Sequence, residues 1–206
     1  MILLLLALLY PLLVFFGLKV LQPKWIALFL MAFFVLRLLL QKKRSNFSLP
    51  RPPYALALIL LIPLFLSLEV FSNRGFWFLF IPAFVNLNLL LTFGATLVKG
   101  PTMVEWFARL QVKYLSPEEL VYCRKVTWVW CGFFIINAAI SLFTVYLHNM
   151  KLWTLYNGLL SYVLMGILFA VEYIYRHYRF RRYLGAPLDF ILKRIFPPPE
   201  ALPCKD

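Results

Sequence analysis

Polar side chains recur at helical spacing inside stretches that are otherwise oily. Asn88 and Thr92 stand four residues apart, as do Asn137 and Ser141, and Asn157 and Ser161; Asn86 lies just before the first pair. Residues four apart share one face of a helix, so each pair aims two hydrogen-bonding groups to one side. In hydrocarbon such groups seek partners on neighbouring helices, each bond contributing roughly 0.6 to 2 kcal/mol. Two chemistries follow. The pairs either glue helices together, or Asn88, Thr92, Asn137, Ser141, Asn157 and Ser161 line a polar cavity for a lipid headgroup or small molecule, as a transporter or flippase would need. Gly166 and Ala170 form a small-xxx-small pair that is expected to let two helices approach closely.

Groups suited to catalysis or metal binding are sparse. His148 and His177 fall on opposite sides of the membrane in the topology given below, and no HExxH, HxxxxD, GxSxG or phosphate-loop pattern accompanies them. Cys123, Cys131 and Cys204 make an odd count with no CxxC, so free thiols are expected rather than a zinc site. Glu172 and Arg176, four apart, read as a salt bridge at the end of a helix. Glu118 and Glu119 read as residues of a helix start. Arg37 and Glu69 are expected to reach towards opposite interfaces. The residues therefore point to a non-enzymatic protein, with no cofactor and no metal.

The elements that carry these residues are membrane helices. The chain is 63% hydrophobic and 14% charged over 206 residues, with a mean hydropathy of +0.83. A soluble domain of that length has too little interior to hide such apolar surface. Uncharged runs cover 1–18, 54–68, 75–98, 126–147 and 152–171, and 25–40 is broken only by Arg37. A helix needs about 20 residues to cross the hydrocarbon, and only helices satisfy their own backbone there. The reading is all-α and polytopic. Six spans are expected at about 2–18, 24–40, 54–71, 75–98, 124–147 and 152–175, all within one domain, 1–178, followed by a basic, Pro-rich tail, 179–206. The first run carries Pro11 and no basic leader, so it is expected to stay as a span and not be cleaved.

Six spans place both ends on one side. That side receives most of the 21 Lys and Arg, while the other keeps only Lys19, Lys24, Arg74 and Lys151. Cytoplasmic loops hold the excess of Lys and Arg, so both termini are expected inside. Trp25, Trp77 and Trp153 then open spans at the outer interface, with Trp106, Trp128 and Trp130 at or near the inner one. The net charge of +13 is explained by this asymmetry and by attraction to anionic inner-leaflet lipid, about 1 kcal/mol per nearby basic residue. No basic soluble module of the kind that binds nucleic acid is present.

The fourth and fifth spans are separated by the most charged stretch of the middle of the chain. Gly100-Pro101 breaks the helix, and Met103, Phe107, Leu110 and Tyr114 form an apolar stripe opposite Glu105, Arg109 and Lys113. A short amphipathic surface helix is expected over 102–114. Ser116, Pro117 and Glu119 then make an N-cap, a first-turn proline and a capping box for the helix that becomes the fifth span. Arg109, Lys113, Arg124, Lys125, Arg176, Arg179, Arg181 and Arg182 are the candidate face for lipid headgroups or an acidic partner.

The segments PTMVEWFARL (101–110), LSPEELVYCRKVTWVWCGFFIINAAISL (115–142) and WTLYNGLLSYVLMGILFAVEYIYR (153–176) resemble a family of uncharacterised bacterial inner-membrane proteins. More distantly, Trp130, Phe133, Phe134, Asn137 and Ile140 are similar in texture to the intracellular septation protein A group. The first hundred residues match only as oily spans. Members of the closer family are encoded near acyl carrier proteins, ketosynthases and acyltransferases of aryl-polyene-type lipid pathways. The resemblance implies a cell-envelope lipid setting and an acyl carrier protein as a candidate partner, and it implies no catalytic residues.

Overall fold

Prolines, glycines and capping side chains set the corners of this chain, and the corners decide which residues share an end of the bundle. A computed structural model of the protein describes residues 16, 20–41, 63–64, 66–112, 114–181, 190 and 194–197. Nearly all of the expected span 2–18, much of 54–71, Lys113, Arg182 and most of the tail lie outside the described residues. Every regular element among the described residues is helical.

Helix α1, Pro23–Gln41, coincides with the expected second span. Its proline sits where a missing N–H is harmless. The free Lys24 N–H is taken by Asn73 Oδ1 at 3.0 Å, and Asn73 adopts a positive φ of 50°, a conformation that asparagine tolerates better than most. This bond fastens the start of α1 to the turn that follows helical residues 66–72.

Helix α2, Ile81–Val98, follows a tight 3₁₀ turn, Trp77–Phe80. Glu69 organises its start. It was expected to reach towards the interface, yet it is fully buried. Its Oε1 accepts from Gly75 N–H at 2.5 Å and its Oε2 from Trp77 N–H at 3.0 Å. The exposed N–H groups of a helix start attract a carboxylate, and here that attraction outweighs reaching for water.

Helix α3, Met103–Gln111, is shorter than the expected 102–114 and is closed by a reciprocal capping box between Thr102 and Glu105. Helix α4, Pro117–Tyr146, begins with the Ser116–Glu119 capping box that the residues LSPEEL foretell. Helices α5, Met150–Leu155, and α6, Ser161–Phe180, run on through a wide π turn, Tyr156–Leu160. Among the described residues, three helical stretches are long and apolar enough to cross a membrane: Trp77–Val98, Pro117–Tyr146 and Met150–Phe180. They point to a membrane protein.

Helix α4 is the central element and packs most extensively on α2. Two apolar clusters hold the bundle. One gathers Ala27, Leu66, Phe78, Ile81, Val145 and Trp153 at the end where α2 starts. The other gathers Val104, Ala108, Cys123, Val126, Trp130 and Phe134 at the end where α4 starts. Two of the tryptophans expected at or near the interfaces are buried against neighbouring helices. Trp153 is 1% exposed and donates from Nε1 to Leu79 O at 3.0 Å. Trp130 packs on Phe169 with ring centroids 4.5 Å apart and contacts Phe93 and Phe134. Trp25 and Trp128 do remain exposed.

Candidate functional site

A layer of polar side chains crosses the bundle between the two apolar clusters. Tyr156 OH donates to Asn137 Oδ1 at 2.6 Å, and Asn137 Nδ2 donates to Asn86 Oδ1 at 3.1 Å. Asn86 Nδ2 closes the chain on Pro82 O at 2.9 Å. Beside it, Ser141 Oγ donates to Asn157 Oδ1 at 2.7 Å, and Asn157 Nδ2 donates to Trp153 O at 3.0 Å. Ser161 Oγ returns to Asn157 O at 3.3 Å. Asn86, Asn137, Ser141, Asn157 and Ser161 are all buried.

The structure thus brings together four of the six residues expected around a polar cavity: Asn137, Ser141, Asn157 and Ser161. It does not bring Asn88 and Thr92. Thr92 Oγ1 donates to Asn88 O at 2.7 Å along their own helix, and both side chains are half-buried. The face of α2 that meets α4 is the one carrying Asn86. Tyr156 was missed because an aromatic residue in an oily run looks like packing; its position one residue before Asn157 was the available signal. The small-xxx-small expectation also fails. Gly166 and Ala170 are exposed, and among the described residues a Cβ added at Gly166 would meet nothing within 4 Å.

No protein family, curated protein or solved structure matches the chain. The functional reading therefore rests on its own geometry.

That geometry separates charge by end. Trp153 binds the start of α2, so Lys151 lies with Arg74 and Lys24 at one end. At the other, Arg124 Nη2 donates to Leu97 O at 2.9 Å, capping the last turn of α2, where unpaired carbonyls favour a cation. Lys99, Arg109, Lys125, Arg176, Arg179 and Arg181 belong to this basic end, since α3, the start of α4 and the finish of α6 all meet there. His148 and His177 lie at opposite ends, as expected; His177 is buried, with Nδ1 2.8 Å from Tyr173 O.

The candidate basic face is already partly engaged. Arg109 forks onto Glu105 Oε1 at 2.9 and 2.7 Å. Arg176 does the same to Glu172 Oε1 at 2.8 and 2.5 Å. Arg124 caps α2. Among the described residues, Arg179 makes one long contact, 3.7 Å, with exposed Glu118. Lys125 is exposed and makes no ion pair among the described residues.

Helix α3 turns most of its apolar stripe outward and packs on the bundle through a second, smaller face. Met103, Val104 and Ala108 are buried against the bundle, whereas Phe107 and Leu110 are exposed, like Tyr114 beyond the helix. Val104 and Ala108, one helical turn apart, take the protein-facing side because α4 offers Cys123 and Val126 there. Phe107, edge-on to Trp106 with centroids 5.1 Å apart, is left facing outward.

Between α4 and α6 at the basic end runs an open cleft of about 550 Å³. Its α4 wall is a single helical stripe from Glu118 through Tyr122 and Lys125 to Val129. Its α6 wall is the facing stripe from Leu168 through Glu172 and Tyr175 to Arg179. Tyr122 and Tyr175 stack across it at 5.8 Å, and Tyr122 OH lies 3.4 Å from Glu172 Oε1.

Proposed function

We propose that this protein is a non-enzymatic, multi-pass accessory protein of the bacterial inner membrane that supports cell-envelope lipid or aryl-polyene-type synthesis. Its basic end faces the cytoplasm and meets anionic lipid headgroups or an acidic protein such as an acyl carrier protein. The observation that carries this reading is the segregation of charge. Lys99, Arg109, Arg124, Lys125, Arg176, Arg179 and Arg181 gather at the end opposite Lys24, Arg74 and Lys151. Loops rich in Lys and Arg stay in the cytoplasm, and they are attracted to anionic inner-leaflet lipid. The chain crosses the membrane six times and lays a surface helix between the fourth and fifth spans; the resemblance of residues 101–110, 115–142 and 153–176 supports the pathway.

The mid-bundle polar layer supports the accessory reading over a transport path. Its side chains satisfy one another across α2, α4 and the π turn, which is what helix-joining groups do. The test is affinity purification from native membranes of the wild type and of an Arg181→Glu/Arg182→Glu variant. An acidic carrier protein should accompany the wild type and be lost from the variant. An identical set of copurified proteins from both would remove the docking role.

A further inference from the structure

The cleft at the basic end has the shape and the polarity of an amphiphile, and we propose that it binds an anionic phospholipid. One acyl chain lies between α4 and α6, and the phosphate lies between Lys125 and Arg179. This deepens the proposed function by giving its cytoplasmic end a ligand, although the site would stand even if no carrier protein docks there.

Each wall supplies one helical stripe about eleven residues long, roughly 16 Å at 1.5 Å per residue. Away from the basic end the walls are aliphatic: Val126 and Val129 face Leu168 and Val171. Towards it they become aromatic and charged, with Tyr122, Tyr175 and Lys125 followed by Glu118, Arg179 and Phe180. The volume of about 550 Å³ falls within the ~300–1,000 Å³ usual for small-molecule sites. Val129, Val171 and Tyr175 are exposed, so the cleft opens sideways and a lipid could enter without crossing the bundle.

Charge complementarity selects the headgroup. The two carboxylates at the mouth differ. Glu172, with a side chain only 11% exposed, is neutralised by Arg176 and further held by Tyr122 OH. Glu118, 75% exposed, has the distant Arg179 as its ion-pair partner among the described residues. Lys125 is without an ion pair among the described residues. The mouth therefore keeps an excess of positive charge where a phosphate would sit. A phosphate takes guanidinium as a fork and ammonium as a point charge, and exchanging the 3.7 Å carboxylate contact of Arg179 for a phosphate leaves Glu118 in solvent.

The test uses the purified full-length protein in nanodiscs of defined composition, one set with phosphatidylglycerol in a phosphatidylcholine background and one with diacylglycerol in the same background. Native mass spectrometry counts the lipid that remains bound after release from the disc. The wild type should retain one phosphatidylglycerol. Lys125→Glu/Arg179→Glu should reduce that retention at least tenfold. Val171→Trp, which fills the cleft from an exposed position and spares the core, should reduce it as much with all charges intact. Equal retention by the wild type and both variants overturns the proposal, as does equal retention of diacylglycerol. So does a second copy of this chain occupying the cleft, seen as a bound mass that Val171→Trp removes while the lipid count stays the same. Because no other protein is present in the discs, loss of the carrier partner in native membranes leaves this outcome unaffected.

Discussion

Asn137 holds the most demanding position in the molecule. Its two amide atoms serve two different helices, accepting from Tyr156 and donating to Asn86. Replacing it with Ala strands both partners in a buried layer, at a cost of about 1–3 kcal/mol. Asn86→Ala removes the same bond, so the double variant should be less damaging than the sum, with a coupling of roughly 0.6 to 1.7 kcal/mol. Unfolding of the four proteins in mixed SDS micelles measures this cycle, and strict additivity would mean the amides do not act as a pair. Asn88→Ala and Thr92→Ala, whose bond stays within one helix turn, should each shift stability by no more than about 0.5 kcal/mol. Which asparagines matter was only half readable from the sequence. Spacing singled out Asn137, Ser141, Asn157 and Ser161, which the fold does bury together, because Asn137 and Ser141 face the π turn that carries Tyr156 and Asn157. It misled at Asn88 and Thr92, because equal spacing says that residues share a face and not which face turns inward.

At the level of elements, the ends of the helices were the most legible part of the chain. Ser116, Pro117 and Glu119 act through local backbone geometry, so their pattern survives whatever surrounds it. Thr102 and Glu105 form the same box one helix earlier, at the same three-residue spacing. Ser116→Ala and Thr102→Ala should each cost about 1 kcal/mol, read as a lower midpoint in the same micellar unfolding assay. Gly100 has φ of +93° at the corner between α2 and α3. Gly100→Ala has open space around it yet forces a side chain into a conformation that costs about 1–3 kcal/mol. A neutral result would show that the corner relaxes. Less legible were Trp130 and Trp153. An aromatic near a span end can belong to the interface or to the core, and only the partner helices decide, here Phe169 for one and Leu79 O for the other. The π turn at Tyr156–Leu160 left no local mark in the sequence, since wide turns arise where side chains seek tertiary partners.

For the molecule as a whole, the apolar runs made the membrane class readable, and the positions of Lys and Arg made the two ends distinguishable. How the helices turn about their axes was not readable, since lipid and protein interior are equally oily and hydropathy cannot separate them. The α6 surface shows this: it is apolar on nearly every side, and Val163, Ile167, Phe169, Val171 and Ile174 are all exposed. The proposed orientation predicts the outcome of labelling with a membrane-impermeant maleimide in a Cys204→Ser background, where Cys123 and Cys131 are buried. Lys151→Cys should react in intact spheroplasts of right-side-out polarity, and Arg181→Cys only after permeabilisation. The reverse pattern would invert the molecule and move the basic end to the outside.

The bond from Arg124 to Leu97 O also bears on how such a protein is made. During synthesis α2 emerges before α4, and its last carbonyls must wait for a partner until Arg124 follows, 27 residues later. The same arginine sits just before the start of the chain's fifth hydrophobic run, where a positive charge holds that end back from translocation. One side chain thus acts first as a topogenic signal and later as a latch. An Arg124→Gln protein should consequently insert with more mixed topology and, where inserted correctly, hold the α2–α4 hairpin less firmly. Arg124→Lys should rescue the insertion but only part of the latch, because an ammonium on a shorter reach meets a carbonyl less directionally than a guanidinium does.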